Sequence, residues 1–352
     1  MPAPPAPDEE RAAPSEPRPR RSRGPLPYVA AAVLAAVLVT VTALRGGTSD
    51  VADEALGDQQ LKIMAPADPG GGWDQTSRAM QAALKELAGR TEVYNVGGAG
   101  GTIGLSQFAQ LDGQSHQLMT TGLIMVGAVA ANGSANTLDD VTPLARLTTD
   151  SQVIVVPAAS DIETMADLAD RMRDRLPSVS FAGGSAGGTE QILAGLVAKD
   201  LGLDPGDVNY IAHSGGGEAV ATLLSGSAVA GISGISEIKA QIDAGQMRPL
   251  AVSSAERVEL LPDVPTLRES GIDVELTNWR GVVAPAGITT EQEQALEDLV
   301  MAMTETDEWQ ATVEREGWGD VALAGPEFEE FLDDEIVRTT QIIDELGLSG
   351  AR

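Results

Sequence analysis

Past residue 57 the chain alternates short apolar stretches with longer segments in which apolar positions recur every three or four residues. Short apolar stretches predict buried strands, the longer period predicts amphipathic helices, and their alternation predicts an α/β fold. In the first unit Leu61 and Ile63 mark a strand, and Met80, Leu84 and Leu87 share one helix face. A second strand over Val93 to Val96 precedes a helix expected to bury Ile103, Phe108 and Leu111. The third unit lines a helix with Ile192, Leu193, Leu196 and Val197, and the fourth buries Val220, Leu223 and Leu224.

Glycine joins strand to helix in every unit. The linking stretches are "PADPGGGWD" (66–74), "NVGGAGGTIG" (95–104), "FAGGSAGGTEQ" (181–191) and "IAHSGGGEA" (211–219). Glycine loses more conformational freedom on folding than any other residue, so such turns need a reason. For any one of them a tight bend is reason enough; four in register point to a ligand. In parallel α/β sheets these turns lie at the carboxyl ends of strands, where ligands bind. The helices that follow open with unpaired N–H groups and a partial positive charge. Without a Cβ in the way, a carboxylate can reach those amides. Each charge-assisted hydrogen bond is worth roughly 1.5–3 kcal/mol, and the helix dipole adds about 0.3–1 kcal/mol.

Composition narrows the partners. The chain has 352 residues, no cysteine and a formal net charge of −29. So acidic a protein is a poor partner for nucleic acid or for an anionic lipid surface. Local main-chain donors can still hold an anion, because salt screens distant charge within about 8–10 Å. The lack of cysteine excludes disulfides, thiolate metal sites and a lipid-anchored cysteine. No His, Asp and Glu cluster has metal-ligand spacing, so neither a metal nor a cofactor is expected.

The N-terminus reads differently from the rest. Residues 1–25 form a proline-rich tail ending in Arg18, Arg20, Arg21 and Arg23, expected to be disordered. Residues 26–45 hold an apolar run long enough to span a bilayer, either as a transmembrane anchor or as a signal segment cut near "VTA" at 41–43. Basic charge on the N-terminal flank puts the remainder outside the cytoplasm, membrane-anchored or secreted after cleavage.

Other motifs fit less well. In "GGAGGTIG" the third glycine of a dinucleotide fingerprint is replaced by Ile103, with Gly104 one place late. "GGSAGGTE" lacks the lysine of a phosphate loop. Gly183 to Gly187 matches the G-x-S-x-G elbow of α/β-hydrolases, which makes serine hydrolysis through Ser185 the alternative reading. It would need His213 as base and Asp200, Asp204 or Asp207 as its partner, a very short span for that fold. Trp73 abuts the first glycine turn; Trp279 and Arg280 sit together in "TNWRGVVAPAG".

In order along the chain, "PADPGGGWDQTSRAM", "NVGGAGGTIG", "GGSAGGTEQILAG", "SGGGEAVATLLSG" and "NWRGVVAPAGI" resemble the extracytoplasmic binding proteins of tripartite tricarboxylate transporters, the Bug/TctC-like receptors. The resemblance covers about residues 58 to 349. It implies a type II periplasmic-binding-protein fold: two α/β domains with a ligand cleft and a two-stranded hinge. Domain 1 would hold 58–156 plus 279–352 and domain 2 would hold 157–278, the chain crossing near Pro157 and returning near Trp279. It also implies a monomeric, non-enzymatic receptor that closes on a small organic carboxylate, citrate-like or another di- or tricarboxylate, and delivers it to membrane permease subunits. The first-domain ligand residues would be Pro69, Gly70, Gly71, Gly72, Trp73 and Asp74, facing Gly98, Ala99, Gly100, Gly101 and Thr102. Asp74 is expected to cap its helix and order waters. The second domain would supply Ser185, Gly187, Gly188, Thr189, Ser214, Gly215 and Glu218, with Arg280 from the returning strand. The long tail and the missing lipobox cysteine depart from the family pattern.

Overall fold

The computed structural model describes Leu56, residues 59–214 and residues 216–350. The proline-rich tail, the apolar run at 26–45 and Gly215 lie outside the described residues.

A ten-stranded mixed sheet organises the molecule. Strands β1 (Lys62–Ala65), β2 (Glu92–Asn95) and β3 (Gln117–Gly122) are parallel, with β1 between the other two. Antiparallel β9 (Thr277–Pro285) follows β3, and β4 (Val141–Pro157) follows β9. The far edge of β4 takes β10 (Gly319–Ala324) over Ala145 to Thr149.

β4 then changes partners. Its pairing with β9 ends at Ser151, and from Gln152 it pairs with β7 (Ala230–Gly234) and β8 (Met247–Val252). β5 (Ser180–Gly183) and β6 (Asn209–Ala212) continue outward from β7 in parallel. The run Val153 to Val156 is buried throughout, as two-sided burial of a central strand requires. One strand is thus shared by two halves of the sheet. The chain returns to the first half at Leu276, whose N–H donates to the Ser253 carbonyl, and enters β9 opposite Ser151.

Helices α1 (Gly72–Ala83), α2 (Thr102–Phe108) and α3 (Leu123–Asn132) follow β1, β2 and β3. In the second half come α4 (Met165–Arg175), α5 (Thr189–Asp200), α6 (Gly216–Leu224) and α7 (Ile235–Asp243). After β9 the chain adds α8 (Thr290–Thr304), α9 (Asp307–Glu316) and α10 (Pro326–Glu345). Ile63, Met80, Leu84, Leu299 and Trp309 form one core; Phe181, Ile192, Leu193 and Val197 belong to another. α10 packs on α3, and Leu346 just beyond it lies against Gly195 of α5, so the C-terminal segment touches both halves.

Two helix faces differ from expectation. Ile103 is exposed, and α2 instead buries Leu105 and Phe108, with Leu111 past its end and half-buried. The Ile103 side chain covers Gly98: a methyl group there would lie 2.8 Å from its Cδ1. Leu224 is likewise exposed, because Ala219 and Leu223, at i and i+4, define the buried stripe of α6, and Leu224 sits a further 100° round.

Candidate ligand-binding site

All four glycine-rich turns end on one cavity of about 60 Å³, beside the point where β4 changes partners. Gly71, Gly72 and Trp73 come from the first turn, and Gly98, Gly100 and Gly101 from the second. Facing them are Gly184 and Ser185 from the third turn and Ser214 and Gly216 from the fourth. Glu190, Ser233 and Glu237 complete that second wall.

Helix starts at the cavity differ from those elsewhere. On the outside, α4, α8 and α9 begin on Thr164, Thr289 and Thr306, whose side chains cap the helix. Such a cap is worth about 1 kcal/mol. At the cavity, α1, α2, α5 and α7 begin after Gly71, Gly101, Gly188 and Gly234, with no side-chain cap. No side-chain cap closes these ends, though α1, α5 and α7 each carry an acid in the first turn: Asp74, Glu190 and Glu237. α3 and α10, whose starts do not line the cavity, also begin on glycine, Gly122 and Gly325.

The second turn shows why glycine is compelled. Gly98, Ala99, Gly100 and Gly101 have φ of 116, 50, 63 and 86° in succession. A methyl at Gly100 would stand 2.4 Å from Ala128 Cβ, and one at Gly101 2.8 Å from the Trp73 ring. Ala99 is the one non-glycine with positive φ among the described residues, and Thr102 Oγ1 donates to its carbonyl at 2.9 Å. The Trp73 indole N–H donates to the Thr121 carbonyl, which fixes the ring as part of the wall.

Three turns are closed by the same device. Asp74, Gln191 and Glu218 are each the third residue of a helix, α1, α5 and α6. Asp74 accepts from the Gly70 N–H (2.8 Å), Gln191 from the Gly187 N–H (2.8 Å) and Glu218 from the Ser214 N–H (3.1 Å). Asp74 therefore latches the turn ahead of its helix; the expected cap position belongs to Gly71. Burial works to raise the Asp74 pKa, but hydrogen bonds from Arg78, Asn95 and Gly70 outweigh it and hold the carboxyl below its usual value.

Several other candidate residues stand behind the wall. Pro69 and Gly70 belong to the first turn without lining the cavity, and Gly188 serves as the N-cap of α5. Thr189 donates to Asn278 Oδ1 at 3.2 Å and so ties α5 to the returning strand. Gly187 (φ 73°) packs on α3: a methyl there would come 2.6 Å from Ala131 Cβ. The two halves of the sheet thus touch beside the cavity. Arg280 lies beneath it, 1% exposed. Its Nη2 donates to Asp150 Oδ2 at 2.9 Å, its Nη1 to Thr76 Oγ1 at 3.3 Å, and Glu237 is 3.8 Å away. Ser236 Oγ also donates to Asp150. Burial pushes the Asp150 carboxyl up, opposed by Arg280. Trp279 points elsewhere, donating to Glu335 Oε2 and meeting Phe331 edge-on.

Sequence reasoning missed Glu190 and Glu237, along with Gly184, Gly216 and Ser233, as wall residues. Glu237 is again the third residue of a helix, in "AGISGISEIKA" (230–240), a fifth strand–turn–helix unit with spaced glycines. That position, shared with Asp74 and Glu218, was the available signal. No spacing marked Glu190, which is 6% exposed with its carboxylate against Gly184 and Gly188. Burial first, and then Glu237, push the Glu190 pKa up to about 7. Burial also pushes Glu237 to about 7, with Arg280 pulling it down and Asp150 pushing it further up.

The hydrolase arrangement is not assembled around Ser185. His213 Nδ1 lies 3.0 Å from the Gly183 carbonyl and Nε2 lies 2.7 Å from Thr222 Oγ1. A carbonyl only accepts, so Nδ1 carries the proton and Nε2 accepts from Thr222. Neither nitrogen serves the serine. Asp204 meanwhile accepts from the Gly206 N–H.

Known proteins resemble this chain in sequence and fold. A sequence model described as the tripartite tricarboxylate transporter family receptor matches residues 76–348. BugT of Bordetella pertussis is 26% identical over 260 residues, covering 72% of this chain and 79% of that protein. A UPF0065 protein from the TAR-I ttuE-ttuC' intergenic region of Agrobacterium vitis is 28% identical, covering 71% and 72%. Among solved structures, the periplasmic binding protein BugD superposes with a TM-score of 0.72 at 22% identity, over 83% of this chain and 99% of that one. MatC from Rhodopseudomonas palustris, with bound malate, gives 0.72 at 23% identity, over 82% and 100%. Another R. palustris protein, solved with adipate, gives 0.76 at 22%, over 83% and 99%. The shared architecture is that of two-domain periplasmic binding proteins.

Proposed function

Since the chain belongs to the receptor family of the tripartite tricarboxylate transporters, we propose that its cleft captures a small organic carboxylate by closure and hands it to membrane permease subunits. The observation that carries this reading is the convergence of four glycine turns, from both halves of the sheet, on one cavity. The halves are joined through β4 at Ser151–Gln152 and through Leu276–Thr277, a few residues from Pro157 and Trp279. These two crossings are the hinge, with domain 1 on the β1 side and domain 2 on the β5 side. A solute favours the closed form only through contacts made better there than in the open form, and turns drawn from both walls supply such contacts. The protein works as a monomer outside the cytoplasm and turns nothing over.

The malate and adipate bound by two structural neighbours are dicarboxylates, the class that main-chain amides suit. Thermal-shift and calorimetric screening with malate, adipate, citrate and related acids tests the reading. A saturating solute without turnover is expected; at 100 times Kd it adds about 2.7 kcal/mol of stability. No stabilisation by any acid, together with labelling of Ser185 by a fluorophosphonate, would favour the hydrolase instead.

A further inference from the structure

The second wall of the cavity is acidic, which a site built only for anions should not be. Glu190 is 6% exposed, and its Oε2 has no hydrogen-bond partner. Glu237 spans the gap between the walls: methyl groups at Gly72 and Gly216 would come within 2.9 and 2.7 Å of its two carboxylate oxygens. The neighbouring cation is Arg280, whose guanidinium is already bonded to Asp150 at 2.9 Å and stays 3.8 Å from Glu237. Buried Asp150 and Glu190 and the 15%-exposed Glu237 therefore share one guanidinium. Uncompensated buried carboxylates are costly, and a ligand anion beside them would add repulsion.

The opposite wall has the reverse character. There the lining residues Gly71, Gly72, Trp73, Gly98, Gly100 and Gly101 carry no acidic side chain, and Asp74 behind them is held by Arg78, Asn95 and the Gly70 N–H. The cavity is bipolar. What relieves the acidic side is a cation arriving with the solute. A bound metal ion is the poorer candidate, since the described residues contain no group of three or more His, Cys, Asp or Glu able to hold one.

Resting on the receptor reading above, we propose that the solute is a zwitterion: its carboxylate meets the amides of Gly72 and of the Gly98–Gly100 stretch, and a protonated amine sits between Glu190 and Glu237. One ammonium compensates one carboxylate; the other acid keeps its proton and donates a hydrogen bond.

Two measurements on the full chain test this. Native mass spectrometry identifies whatever solute co-purifies. Calorimetry then compares acids with amino counterparts of matched length, malate against aspartate and adipate against 6-aminohexanoate. The expected result is an amine-bearing solute in the spectrum and at least one amino member binding roughly tenfold or more tighter than its partner. Glu190→Gln and Glu237→Gln, each checked for an intact unfolding transition, should erase that preference. A co-purified solute without a basic nitrogen, or dicarboxylates that bind best and are held as well or better by the glutamine variants, would overturn the zwitterion while leaving the receptor intact. Empty spectra and no binding by either class would overturn both.

Discussion

Replacing Glu190 with glutamine changes one proton-binding group and almost no volume. In the folded, solute-free protein its pKa is raised from 4.5 to about 7, burial being the main cause and Glu237 the next. Between those two values the folded chain keeps a proton that the unfolded chain has lost, so stability falls as pH rises across that window. A shift of this size corresponds to about 3 kcal/mol, present below pH 4.5 and gone above pH 7. Glutamine has no such proton. The stability of Glu190→Gln relative to the parent should therefore climb by about 3 kcal/mol between pH 4 and pH 8, or about 6 °C in Tm at roughly 2 °C per kcal/mol for a chain of this size. Urea unfolding or scanning calorimetry at several pH values reads this out on solute-free protein, and the difference between variants cancels the pH response of the other carboxylates. Because Glu237 helps to raise Glu190, the double glutamine variant should gain less than the sum of the two singles. Parallel pH profiles for parent and variant would refute the buried, uncompensated state assigned to Glu190.

Arg280→Met should cost about 3–5 kcal/mol at neutral pH, since it strands buried Asp150, and adding Asp150→Asn should recover part of that loss in denaturant titrations. Gly187→Ala should weaken solute binding more than it weakens the fold, because the new methyl both strains a φ of 73° and meets Ala131 where the halves touch; Ala131→Gly should restore part of the affinity measured by calorimetry.

Much of this architecture is legible in the sequence because glycine spacing records a local backbone demand. The four turns announce the ends of strands and the starts of helices, and the order of the motifs carries the fold. Short helices are less legible. α2 and α6 offer so few apolar positions that Ile103 and Leu224 fit a plausible stripe, and only packing against the sheet decides which stripe is buried. The latches are a third case: Asp74, Gln191 and Glu218 share one helical position, a repeat present in the sequence whose meaning depends on the turn amide that each accepts. Least legible is the charge network. Asp150 on β4, Arg280 on β9, Glu190 on α5 and Glu237 on α7 lie far apart along the chain and meet only because β4 switches partners between the halves. Nothing in the neighbourhood of any one of them foretells the other three.

A solute is expected where the four glycine turns converge. A crystal structure of the protein with its co-purified or best-binding solute tests it most directly. Density is expected between Gly71–Gly72 and Gly98–Gly101 on one side and Ser185, Glu190 and Glu237 on the other, with main-chain amides within hydrogen-bond distance of a carboxylate. Solute density outside that cavity, with the four turns packed on protein alone, would contradict it.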